Sequence, residues 1–141
     1  MARILVAALL AGAGLAAAGA AAPVVSNAWL RAMPATIPAA GYFTLANPGT
    51  KPITLTGATS PACGSAMLHM THKMDGMVHM MMVESVAVPA GGKVEFAPGG
   101  YHVMCMDPKN LKPGTSVPVT LKFADGTKLT VPFAVRSADS R

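Results

Sequence analysis

The chain has few carboxylates and few aromatics. Asp and Glu number 6 of 141 residues, and Phe, Trp and Tyr make up 5%. No carboxylates are paired, and no Ser/His/Asp arrangement is visible, so the acid–base and nucleophilic chemistry of common hydrolases lacks its residues. The 11 Lys and Arg are scattered singly, with no basic cluster and no aromatic interleaving. That excludes a nucleic-acid-binding surface, and the net charge of +5 speaks only to solubility. No segment after the first 22 residues carries a 3.6-residue apolar period long enough for a major helix. Cysteine is limited to Cys63 and Cys105.

What is present begins with Met1-Ala2-Arg3, followed by an uncharged stretch from Ile4 to Ala22 that ends in small residues. This has the form of a secretory signal peptide, residues 1–22, with a single domain over 23–141. No Cys follows the apolar run, so neither a lipoprotein anchor nor a stable membrane anchor after cleavage is expected. The expected compartment is the periplasm, which permits a disulfide.

Turn signals recur through the domain: Asn47-Pro48-Gly49, Asp75-Gly76, Pro89-Ala90-Gly91-Gly92, Pro98-Gly99-Gly100, Lys112-Pro113-Gly114 and Asp125-Gly126. Between them lie short β-branched and apolar segments: Gly41–Ala46, Ile53–Ala58, Val83–Val88, Val117–Phe123 and Lys128–Val135. Many short strands at regular spacing predict an all-β sandwich or barrel. Phe123–Lys128 reads as a hairpin joining the last two strands.

The segment 67–82 concentrates seven Met and three His in sixteen residues, and His102-Val103-Met104-Cys105-Met106 follows later. A thioether is a soft, neutral ligand that favours Cu(I), and imidazole suits either copper state. A His/Met set without carboxylates argues against Mg, Ca and Mn, and zinc takes thioethers poorly. One Met or His alone is usually packing or a hydrogen-bonded structural residue. This density around a turn is different, because strands built for packing use Val, Ile and Leu.

If Asp75-Gly76 is a two-residue turn, Thr71 faces Met80 and His69 faces Met82. His69 and Met80 then share a face as diagonal neighbours. His102 and Met104, two apart in an extended segment, also share a face. These two pairs, His69 with Met80 and His102 with Met104, can converge into a four-coordinate site. The same register puts Met70, His72, His79 and Met81 on the other face, as a second copper position that a one-residue slip would remove.

The spacing of His69, Met80, His102 and Met104 is His, ten residues, Met, twenty-one residues, His, one residue, Met. With Ala28-Trp29-Leu30-Arg31, Ala39-Ala40-Gly41-Tyr42-Phe43, Val88-Pro89-Ala90-Gly91-Gly92 and Pro98-Gly99-Gly100-Tyr101-His102, it resembles the periplasmic copper chaperone family of the PCuAC type. The resemblance implies a cupredoxin-like Greek-key β-sandwich holding Cu(I) on those four residues. It further implies copper delivery toward cytochrome c oxidase, alone or with a Sco-type copper protein, or a role in copper homeostasis. The chain departs from members with a His/Met-rich C-terminal tail, since it ends Ser137-Ala138-Asp139-Ser140-Arg141.

Cys63 and Cys105 are read as a disulfide, as two buried thiols or as copper ligands. Trp29 and Tyr42 are read as packing, and Met33 and Met106 as candidate outer ligands. Two other readings stand beside the carrier: a cupredoxin-type electron-transfer protein, which needs a Cys thiolate on copper, and a secreted β-sandwich without metal.

Overall fold

The computed structural model of the chain describes residues 21–34 and 37–140. The leader expected at 1–22 falls, but for its last two residues, outside the described residues.

Ten strands and no helix form among the described residues. They are β1 (Val24–Arg31), β2 (Ala39–Ala46), β3 (Ile53–Thr59), β4 (Ser65–Met74), β5 (Met77–Met82), β6 (Val86–Val88), β7 (Lys93–Phe96), β8 (Tyr101–Met106), β9 (Ser116–Phe123) and β10 (Lys128–Arg136). Hydrogen bonding links them in the order β5-β4-β8-β2-β1-β10-β9-β3-β6, with β7 paired to β2 beyond β8. All pairs are antiparallel except β1 with β10, where Trp29 aligns with Ala134 and Arg31 with Arg136. β3 and β4 stand far apart on this path yet lie against each other. The sheet therefore folds back on itself as a sandwich, and the expected all-β class is borne out.

The enclosed core holds Leu30, Phe43, Leu45, Leu55, Leu68, Phe96, Val103, Leu121 and Phe133. Phe43 stacks on Phe96 with ring centroids 4.3 Å apart, and Phe133 meets Phe43 edge-on at 5.6 Å. At Gly41 a Cβ would come 3.0 Å from Leu30 Cδ2 and 3.4 Å from Phe133 Cε2 and Val103 Cβ, so the bare backbone there leaves room for the core side chains packed over β2. Asn47, 2% exposed, donates from Nδ2 to the carbonyls of Lys51 and Val88 at 2.7 and 3.2 Å. Those bonds satisfy a buried amide and tie the β2–β3 turn to the end of β6.

Three expectations shift. Val83–Val88 narrows to β6 at Val86, and two further strands, β1 and β7, form. β1 carries Asn27 at φ 53 and a register shift between Ser26 and Trp29. That bulge interrupts the alternation by which a strand is recognised. β7 is four residues long with exposed Lys93 and Glu95, too short and too charged to stand out.

Candidate metal site

The site begins with a turn. Asp75 and Gly76 have φ of 54° and 76°, the doubly left-handed pattern of a two-residue hairpin loop that Asp-Gly favours. The turn sets the β4–β5 register: Met74 pairs with Met77, His72 with His79, Thr71 with Met80, Met70 with Met81 and His69 with Met82. β8 lies on the other side of β4, with His69 opposite His102 and Met67 opposite Met104.

Alternation across these three strands sorts the side chains. One face carries Met80 and Met82 from β5, Met67, His69 and Thr71 from β4, and His102, Met104 and Met106 from β8. His69, Met80, His102 and Met104 thus occupy a single face of three adjacent strands. The two imidazoles are direct cross-strand neighbours, with ring centroids 5.6 Å apart. Met80 is 61% exposed on the edge strand, diagonal to His69, while His102 is 2% exposed against the body.

The nitrogens of these rings are unusual. Nδ1 and Nε2 of His69 and Nε2 of His102 are buried without a hydrogen-bond partner. Buried polar atoms are almost always paired, so three orphans in two adjacent rings point to a missing electrophile. His102 Nδ1 lies 3.3 Å from the Gly100 carbonyl, which also accepts the Thr71 N–H at 3.0 Å. With Nδ1–H donating there, Nε2 keeps its lone pair for a ligand, the usual way a backbone carbonyl orients a metal-binding histidine. Burial pushes both histidines below the ordinary imidazole value. At His102 the Gly100 bond opposes that shift and His69 adds to it. The shift favours the neutral ring, the form that binds metal.

Trp29 and Tyr42 pack on each other at 4.8 Å and wall the His102 side of the face, with Tyr42 at 6.4 Å from His102. The Arg31 guanidinium lies over both rings, at 5.5 and 5.3 Å, and Arg136 over Trp29 at 4.9 Å. Burial raises the Tyr42 pKa, with Arg31 opposing.

Cys63 and Cys105 form a disulfide with Cα atoms 5.3 Å apart. Cys105 is fully buried on the face opposite His102 and Met104, so the bridge fixes β8 to the start of β4 from behind the site. The other face of the hairpin carries Met70, His72, His79 and Met81, with Met74 and Met77 nearest the turn. Met106 lies on the His102 face opposite Ser65, and Met33 lies just past the end of β1.

Two site features escape the reading of the sequence. Met67, partly buried, sits directly opposite Met104 on the histidine face. Its signal was its parity with His69 two residues on, but that matters only once β8 is known to pair with β4. The Gly100 carbonyl that orients His102 carries no side-chain signal at all.

Comparison with solved structures sets the fold in its class. The copper-bound PCuAC domain from PmoF2 superposes with a TM-score of 0.68 at 26% identity, covering 82% of this chain and 92% of that one. The solution structure of CuI-DR1885 from Deinococcus radiodurans matches at a TM-score of 0.65 and 37% identity, covering 88% of this chain and 83% of that one. The fold is the cupredoxin-like β fold of PCuAC domains, as the resemblance implied. The family described as "Putative lipoprotein LpqE-like" matches residues 24–135, and the chain belongs to that family. "Putative lipoprotein Lxx21020" of Leifsonia xyli subsp. xyli is 38% identical over 117 residues, which cover 82% of this chain and 69% of the relative. "Uncharacterized protein RP573" of Rickettsia prowazekii is 34% identical over 92 residues, and the match spans about half, 51%, of its length.

Proposed function

We propose that the chain is a periplasmic Cu(I) carrier that holds one ion on His69, Met80, His102 and Met104. It would pass that ion toward cytochrome c oxidase, directly or through a Sco-type copper protein, or serve copper homeostasis. The observation that carries this reading is the pair of adjacent imidazoles whose buried nitrogens lack partners, on a face lined with thioethers. Four neutral donors hold Cu(I) without accumulating charge, and none needs deprotonation at neutral pH. Met80 on an exposed edge strand leaves the ion within reach of a partner's ligands, as transfer requires. The copper-loaded structural relatives, the leader-like start of the chain and the relative named as a lipoprotein support the cargo and the compartment.

An electron-transfer site of the blue-copper kind needs a thiolate ligand. Both cysteines are committed to a bridge behind the site, which favours carriage. No catalytic step is assigned to the chain.

The test is an anaerobic Cu(I) titration against bicinchoninate. Wild type should hold Cu(I) in a colourless form, and His69→Ala should lower the affinity of this site by about 100-fold or more, close to 3 kcal/mol. Unchanged affinity in that variant overturns the reading.

A further inference from the structure

The far face of the β4–β5 hairpin repeats the donor chemistry of the first face in a more regular form. β4 presents Met70, His72 and Met74 there, and β5 presents Met81, His79 and Met77. The pairing is like with like: Met70 with Met81, His72 with His79, Met74 with Met77. Three rungs of soft donors stack along the hairpin with no carboxylate among them, and facing side chains have Cβ atoms about 4.5–5.5 Å apart. Alternation sends these six side chains to one side of the sheet and His69, Met80 and Met82 to the other. The two sets share a backbone but no side chain.

Packing does not account for the rungs. Met74, Met77 and Met81 are 53%, 63% and 47% exposed, and β5 is exposed at every position. A strand that faces water on both sides gains nothing from long apolar side chains, and stable strands in that setting use Thr and charged residues. Met70 and His72 are partly buried at the body end of the ladder, where Tyr101 of β8 pairs with Met70. The β4 side of that end is therefore partly covered, whereas Met81 and His79 of β5, and Met74 and Met77 at the turn, are exposed.

The geometry points to a second Cu(I) site on this face, formed by His72 and His79 with the thioethers of Met70 and Met81. The hairpin then carries two copper ions back to back, one on each side of a single sheet layer. The inference goes beyond the carrier proposed above, because it concerns residues outside that site. Its ligand is a monovalent soft cation, matched by two thioethers and two imidazoles.

The test is anaerobic Cu(I) titration of the full chain against bicinchoninate, for wild type and for the His72→Ala/His79→Ala double variant, with imidazole proton signals followed by NMR. The expected result is two ions per wild-type chain and one in the double variant, whose remaining ion keeps its affinity. The His72 and His79 ring signals should move with the second equivalent. The hairpin face lies outside the core, so the variant should keep the wild-type circular dichroism. One ion in wild type and one in the variant overturns this inference and leaves the first site standing. One ion in wild type and none in the variant upholds the ladder and removes the first site. Two ions in both proteins, or none in either, overturns it.

Discussion

The body of the sandwich and the β4–β5 hairpin are built from different residues. The body buries Leu, Val and Phe around Phe43, Phe96 and Phe133, and satisfies the deeply buried amide of Asn47 with backbone carbonyls. The hairpin extends beyond that core, and six of its apolar side chains stand in solvent: Met74, Met77, Val78, Met80, Met81 and Met82. One region removes apolar surface from water, and the other displays soft donors to it. His102 sits where they meet, buried like a core residue but with its free nitrogen turned to the hairpin face. The difference teaches that the core side chains and the exposed soft donors lie largely on different strands, with β8 contributing both Val103 to the core and His102 to the hairpin face.

That separation predicts opposite responses to mutation. Phe133→Ala opens a cavity beneath the fully buried ring and should cost about 3–5 kcal/mol of folding stability, with copper stoichiometry kept by the folded fraction. Val78→Ala, on the exposed hairpin, should cost less than about 0.5 kcal/mol. Urea unfolding of both variants checks this, and comparable losses would break the contrast.

Within the histidine face, Met80 and Met67 sharpen the same line. Met80 is largely exposed and proposed as a ligand, whereas Met67 is partly buried and lies directly opposite Met104. Met80→Ala should weaken Cu(I) binding on the order of 10-fold or more, which is about 1.4 kcal/mol, with little change in unfolding midpoint. Met67→Ala should do the reverse, costing about 1 kcal/mol of stability while leaving affinity nearly intact. Competition titrations and thermal melts on the pair separate the roles. A larger affinity loss in the Met67 variant would move the fourth ligand from the edge strand to β4.

How much of this could be read beforehand depended on how local the signal was. The β4–β5 register followed from Asp75-Gly76, because a two-residue turn leaves one pairing open to the strands it joins. The alternation of His69 with Met70 and of His102 with Val103 then separated the faces. The strand order was a different matter. That β8 would lie against β4, and so bring His102 directly opposite His69, depends on contacts between segments some thirty residues apart in the chain. Neither turn chemistry nor period reports such a pairing. The resemblance to PCuAC proteins implied a meeting of these residues that local rules could not reach. β1 was hidden by its bulge at Asn27, where a left-handed residue resets the period-2 pattern.

The smallest expected effect is on pH dependence, and it again divides the two regions. Burial holds His69 and His102 below the imidazole value of an unfolded chain, about 6.5. Between the folded and unfolded values the unfolded chain binds more protons, so stability rises with pH across that window. The metal-free protein should therefore keep its full stability above about pH 6.5 and lose part of it as the pH falls through the lowered folded values. Protons compete with Cu(I) for the same nitrogens, so affinity at this site should decline over the same acid range. Denaturation of the metal-free protein at pH 7.5, 6.5 and 5.5 measures the slope, and His69→Ala should flatten it by removing one of the two groups. A slope unchanged in that variant would mean that His69 does not couple folding to protons, and would leave His102, on the body side, as the histidine that does.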